Sequence, residues 1–295
     1  MGNQSNIEFI DQINNTKMGF NNIQCVQSVI EEIENLKNQD CFEDIPLMEL
    51  QKLPKYNGVF ELSYDSKNFY MLNISNDDAV PLKYLWRDKY ESYALKLWYE
   101  WTRDVSGVFF DIGAHTGIYS IIGNLNKSIN NIISFEPYFL NFARLMSNLR
   151  LNLIPSSNCF FYAVSDTNEI KKFNVPVVGG YHTSGGRLSE NGQINVNSIT
   201  LDSINIEKPL VAMKIDTEGH EYEVLKGGIN HIKKHKPKIL FEVNKNNFDS
   251  CLQLLKKCNY EFHFIDEYLD KLHIVKKFNE NLIRPEGSNC LAIPK

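Results

Sequence analysis

The sequence predicts an α/β fold: a mostly parallel sheet with helices on both faces, joined to an N-terminal α+β appendage. Three observations predict it. After residue 106, short apolar runs rich in β-branched and aromatic residues alternate with helical stretches, the signature of a parallel sheet. Before residue 105 the texture differs, with no such alternation. Each apolar run is also followed, at once or within two residues, by a carboxylate, at the sheet edge where ligands bind.

The elements follow in chain order. Ile23, Val26, Ile30, Ile33 and Leu36 recur at helical spacing, so 22–38 is expected to be an amphipathic helix. Phe60, Leu62 and Tyr64 alternate, as do Tyr70, Leu72 and Ile74, around Asp65-Ser66-Lys67-Asn68, which reads as a hairpin. From 77 to 103 the pattern is helical and aromatic, through Tyr84, Trp86, Tyr90, Tyr93, Trp98 and Trp101. That stripe suits core packing or a face for a second copy of the chain. Strands are then expected at 108–110, 132–135, 160–164, 210–215 and 239–241, with helices at 117–125, 138–150, 220–228 and 246–258. Residues 1–105 thus form the appendage and 106–295 the main domain.

Composition narrows the partners. Thirty-one Lys and Arg against 36 Asp and Glu give a net charge of -5, which does not suggest a nucleic-acid coat or a polybasic membrane anchor. It is at least as compatible with a small-molecule or glycan partner, so no nucleic-acid partner is expected. Lys233, Lys234, Lys236 and Lys238 read as a solvated helix end. No apolar run approaches the roughly 20 residues of a membrane span. The first residues lack the basic segment and apolar core of a secretion signal, and the six cysteines form no Cys-x-x-Cys pair. Reduced thiols and a cytoplasmic location are expected.

The candidate chemistry lies on the strand ends, where Asp111, Glu136, Asp166, Asp216 and Glu242 would meet at one mouth. Between Asp111 and Gly117 the chain reads strand, glycine turn, helix, with Gly113 and Gly117 flanking His115. Glycine permits close backbone approach, and the helix start offers free N–H groups. The Gly-x-Gly-x-x-Gly of a dinucleotide cradle is absent, and Asp111 suits a ligand ammonium. Glu136 stands where an acid accepts ribose hydroxyls, and Ser165-Asp166 where a polar pair reaches an adenine amine. Ammonium, ribose and adenine in that order describe S-adenosylmethionine.

The blocks VFFDIGAHTGIYS, ISFEP, YAVSD, KIDTEGHEYEVLKGG and LFEV resemble the FkbM family of S-adenosylmethionine-dependent methyltransferases over about residues 105 to 265. The resemblance implies a Rossmann-like methyltransferase fold of about seven strands, with 290–294 as a last antiparallel strand beside the fifth. It implies donor binding by Asp111, Gly113, His115 (often Asn in the family), Gly117, Glu136 and Asp166. It also implies methylation of hydroxyl groups on sugars, glycans or natural products.

A hydroxyl acceptor has a pKa near that of water, about 15.7, and needs a base or a metal. Asp216 is the first candidate base, with His220 and Glu218 after it. Asp216 with Glu242 could instead hold a divalent cation such as magnesium. Glu218 and Glu221 also suit a helix dipole, and His220 a helix cap. The glycine-rich segment 178–187, with Tyr181, His182 and Arg187, suits a flap over the acceptor or a surface loop. Two other readings stay open: a nicotinamide-dependent oxidoreductase on the same type of sheet, and a non-catalytic module that binds adenosyl ligands.

Overall fold

The computed structural model describes residues 57–87, 90–103, 105–126, 131–175, 183–282 and 288–295. The segment 22–38, Tyr181 and His182 lie outside them. The described residues divide into two compact units, one reaching as far as Tyr90 with Thr183 and Ser184, the other beginning at Glu91.

In the first unit, β1 (Asn57–Tyr64) and β2 (Lys67–Ile74) pair antiparallel around a two-residue turn. Asp65 and Ser66 both take positive φ, 47° and 61°, the backbone twist that matches a right-twisted hairpin. Phe60, Leu62, Phe69 and Met71 are buried, and α1 (Ala79–Arg87) sets the Tyr84 ring edge-on to Phe69. Asp78 caps that helix through the Val80 N–H, and the Thr183 hydroxyl donates to the Asp77 carbonyl.

The helical stretch expected over 77–103 is two helices. Glu91, at φ 41°, breaks it, and α2 (Ser92–Arg103) belongs to the second unit. Packing explains why the unit begins ahead of the change of texture at 105. Trp98 is fully buried, edge-on to Phe109 and Tyr119, and its indole N–H donates to the Tyr119 carbonyl at 2.9 Å. Trp101 is buried too, with the Lys238 ammonium over its ring, so these two aromatics are core.

After α2 the chain runs through β3 (Val108–Ile112), α3 (Ile118–Asn124), β4 (Asn131–Phe135), α4 (Phe139–Leu151) and β5 (Cys159–Phe160). It continues through β6 (Ala163–Val164), β7 (Ile170–Asn174), β8 (Arg187–Leu188), β9 (Ile194–Ile199) and β10 (Leu210–Ile215). The last elements are α5 (Glu221–Gly227), α6 (Ile229–His235), β11 (Lys238–Glu242), α7 (Phe248–Lys256), β12 (Tyr260–Asp266), β13 (Lys271–Ile274) and β14 (Asn289–Pro294). Eight strands form the main sheet in the order β13-β12-β14-β11-β10-β3-β4-β5. From β11 to β5 the pairings are parallel, and β14 runs antiparallel beside β11, as expected for 290–294. The strand beyond the expected seven is β13, the return of a hairpin with β12.

The third apolar run, 160–164, departs from expectation. It splits at the exposed Phe161-Tyr162, where the Tyr162 N–H folds back on the Phe160 carbonyl. β5 stays on β4, whereas β6 pairs with β9 in a separate four-stranded sheet, β6-β9-β7-β8. Arg187, expected in a loop, lies in β8.

Alternation along the parallel strands sorts the core. Phe110, Ile112, Met213, Ile215, Ile239 and Phe241 share one apolar cluster with residues of α5, α6 and α7. Phe109, Asp111, Lys214 and Glu242 have the opposite parity in register, on the side of Trp98 and Tyr119. The charged residues therefore form one layer, at the carboxyl ends of the strands.

Candidate active site

Three strand ends are stitched together by backbone. Gly113 and Ala114 N–H both donate to the Phe135 carbonyl, at 3.0 and 2.9 Å, and the Asp216 N–H donates to the Ile112 carbonyl at 2.9 Å. Gly113 takes φ +74°, and a Cβ there would stand 1.8 Å from the Asp216 carbonyl oxygen. Only glycine lets the β3 and β10 ends touch. Gly117, at φ +100°, faces Leu145 of α4, whose Cδ1 a Cβ would meet at 2.6 Å. His115 also has positive φ, 53°, so the turn from Gly113 to Gly117 coils tightly before α3.

That turn aims the His115 N–H at Glu136, which follows β4. Glu136 Oε2 accepts from it at 2.9 Å and Oε1 accepts from the Tyr138 N–H at 2.8 Å. Burial outweighs both bonds and pushes Glu136 up to about 8, helped by the charges of Asp111 and Asp216. Asp111 itself is buried inside β3, and its Oδ2 accepts from the Ser120 hydroxyl at 2.6 Å. Burial raises it to about 6 against the Ser120 bond and the Lys214 charge. Asp111 is therefore engaged by Ser120 within the protein.

Ser165 and Asp166 follow β6, which pairs with β9 and not with a strand of the main sheet. Asp166 pairs with Lys226 at 2.7 Å, which holds its carboxyl below the usual range. The Ser165 hydroxyl lies 2.9 Å from His220 Nε2. On its other side, His220 Nδ1 lies 3.6 Å from a Glu223 oxygen. Burial pushes the imidazole down in pKa. His220 occupies the cap position of α5 without a side-chain cap bond, and its two ring nitrogens face Ser165 and Glu223.

The charged end lies at β10 and β11. Lys214 is buried, with Asn289 Oδ1 at 2.7 Å, Asp216 Oδ2 at 3.2 Å, Glu91 Oε2 at 3.8 Å and the Tyr119 ring beneath its ammonium. Burial works against its charge, but Asp216, Glu91 and Glu242 outweigh it and raise its pKa. Tyr119 ties the group together by donating its hydroxyl to Glu91 at 2.5 Å. The Asp216 side chain keeps 29% exposure, so its carboxylate reaches solvent while Lys214 does not.

Glu218, at φ 56°, is raised to about 7 by burial first and then by Asp216 and Glu221. It accepts a hydrogen bond from the Gly185 N–H and feels the Arg187 charge, so the described end of the glycine-rich segment reaches this loop. Glu221 serves the loop differently from a dipole partner. Its Oε1 accepts from Thr217 N–H, Thr217 Oγ1 and Gly219 N–H, and its Oε2 from the Asn247 amide. Among the described residues no group of three or more His, Cys, Asp or Glu is arranged to hold a metal, so the Asp216–Glu242 pair lacks a third such ligand.

Glu91, Tyr119 and Asn289 escaped the sequence reading, since nothing in their spacing links them to 214–216. Lys214 carried a signal, because a lysine inside the apolar run LVAMKI must find buried partners.

No curated protein matches the sequence. The model of the methyltransferase FkbM domain matches residues 111–262. Among solved structures, the chain is similar to a methyltransferase FkbM from Methylobacillus flagellatus KT, at 16% identity and a TM-score of 0.43, over 86% of this chain and 60% of that one. It is also similar to a SAM-dependent O-methyltransferase from Thermotoga maritima, at 9% identity and a TM-score of 0.41, over 80% of this chain and 77% of that one. A third is a tRNA (uracil-54, C5)-methyltransferase from Pyrococcus abyssi in complex with S-adenosyl-L-homocysteine, at 12% identity and a TM-score of 0.40, over 79% and 43%. The chain thus spans less than two thirds of the Methylobacillus protein. With the domain model matched over more than half of its length, this chain belongs to the FkbM methyltransferase family.

Proposed function

We propose that the protein transfers the methyl group of S-adenosylmethionine to a hydroxyl group of a carbohydrate or related metabolite. The observation that carries the reading is the seat between the β3 turn and Glu136. A buried carboxyl at the end of β4 faces a tight backbone turn, and each of its oxygens has accepted only one N–H. Paired hydroxyls of a ribose suit those remaining lone pairs. Gly113 and Gly117 let the turn coil tightly beside that carboxyl. The residues fit an adenosyl donor, with Glu136, Gly113, His115 and Gly117 as its holders. Ser165 and Asp166 extend the seat toward the base, and Asp111 supports the turn through its bond with Ser120.

When bound, S-adenosylmethionine supplies a sulfonium methyl group open to in-line displacement. The chain's task is to place a hydroxyl in line and take its proton. Asp216 is assigned that role, because it ends β10 next to the donor turn and is partly open to solvent. Lys214 holds one of its oxygens. As the acceptor oxygen gains the methyl group, its proton passes to the Asp216 carboxylate. His220 is engaged by Ser165 and Glu223, so it serves as a support for the loop, and Glu218 lines the acceptor side.

Calorimetric titration with S-adenosylmethionine, S-adenosylhomocysteine and NAD tests the reading. Both adenosyl ligands should bind, NAD should not, and Glu136→Ala should abolish the heat. NAD binding alone would hand the site to a nicotinamide enzyme. Donor binding without methyl transfer to any member of a carbohydrate and metabolite panel would favour a non-catalytic adenosyl-binding module.

A further inference from the structure

The exposed apolar residues of the second unit are not scattered. Among the described residues twelve large hydrophobics are exposed, and six of them, Phe139, Leu140, Leu153, Phe160, Phe161 and Tyr162, fall between 139 and 162. Ring contacts join them. Phe161 lies 5.1 Å from Phe142, which stands one helical turn from Phe139 on α4, and Phe160 stacks on Phe135 at 5.6 Å. Phe139 nonetheless keeps 53% of its surface in solvent, and Phe161 45%.

The same stretch is nearly free of charge. From Pro137 to Ser165 the charged residues are Arg144, which is buried, and Arg150, in a chain of which 23% is charged. The two edges of the main sheet differ accordingly. At one edge β13 carries Lys271 and His273, with Lys276 and Lys277 behind it, the kind of charge that keeps an edge strand from pairing with another chain. At the other, β5 carries none.

What covers this face can be narrowed. Nucleic acid or an anionic membrane calls for a basic surface, and Arg150 is the one exposed cation from 137 to 165. The acceptor of the proposed reaction meets Asp216 at the end of β10, three strands or about 14 Å across the sheet from β5, with the Glu136 seat between. A two-fold interface sets a patch against itself, and an uncharged patch meets no like charge there. The four exposed rings leave roughly 350 Å² open. Two copies would hide about 700 Å² of ring surface, close to half of the roughly 1,600 Å² of a standard interface. Aromatic enrichment with depleted charge is also the composition of an interface core.

We propose that two copies of this chain pair about a two-fold axis through the α4–β5 edge, with Phe139, Phe160, Phe161 and Tyr162 at the centre. The interface backs onto the Glu136 seat, because the Glu136 N–H donates to the Phe160 carbonyl at 3.2 Å. The pairing does not depend on the methyltransferase reading.

The test is sedimentation velocity on the full chain from low to high micromolar concentration. The wild type should reach twice the 34.1 kDa of one chain and go no further. Phe161→Asp and Phe139→Asp should each weaken the dimer about tenfold or more. Ile274→Asp, on the opposite edge, should leave it unchanged. Hydrogen exchange on the wild type reads the same face without a variant: amides at 139–143 and 159–162 should gain protection as concentration rises. A wild type that stays monomeric throughout would leave the patch to another partner and overturns the proposal, as does a mass that keeps growing with concentration. A dimer that survives both Phe variants, or whose protection appears elsewhere in the chain, also overturns it and assigns the contact to another face.

Discussion

The two ends of the sheet edge are built from different materials. At β3–β4 the seat is mostly backbone: positive φ at Gly113, His115 and Gly117, two N–H groups donated to Phe135, and one buried carboxyl facing the His115 N–H. At β10–β11 it is mostly charge, with Lys214 drawing on the neighbouring Asp216 and on Glu91 and Asn289 from distant parts of the chain. A backbone seat is shaped by contiguous residues and holds one ligand shape. A charge cluster is assembled by tertiary packing and can be retuned one side chain at a time. The difference suits an end that keeps a constant donor and an end that meets a particular acceptor.

Removing the charge at the second end should have the largest effect. Lys214→Met leaves Glu91 and Asp216 beside an apolar side chain, and should cost about 3–5 kcal/mol in denaturant unfolding near neutral pH. A variant as stable as the wild type would mean that the ammonium is dispensable to the fold.

A smaller loss, still more than about 2 kcal/mol, is expected from Gly113→Ala at the first end. The new side chain would suffer at φ +74° and strike the Asp216 carbonyl. Thermal unfolding measures it directly, and an unchanged melting temperature would show that the β3 and β10 ends can part without penalty.

The first end should also show a pH dependence at Glu136. Its folded pKa, about 8, lies above the unfolded value near 4.5. The native state therefore keeps a proton that the unfolded chain releases, and this contribution to stability is full below about 4.5 and lost as pH rises to about 8. Glu136→Gln should flatten that part of the stability profile. A variant with the wild-type slope between those pH values would assign the dependence to other groups.

Much of this was legible in the sequence, and the failures have physical causes. The strand at 210–215 and the glycine turn are local, so periodicity and conformational preference reveal them. The run at 160–164 looked like one strand because its composition is uniform, but a backbone reversal at Tyr162 sends its two halves to different sheets. The lysines at 233–238 looked uniformly solvated. Lys236 instead donates to the Cys258 carbonyl at 2.5 Å and Lys238 lies over Trp101, because the run crosses from a helix end into a strand whose residues alternate inward. Glu91 lies 123 residues before Lys214 in the chain, and only folding brings the two together.

The most direct test of the account is a crystal structure with S-adenosylhomocysteine bound. The account predicts ribose hydroxyls on the Glu136 carboxyl, with the sulfur end directed toward Asp216. A ligand bound elsewhere, or one that leaves Glu136 with only its two backbone N–H partners, would contradict it.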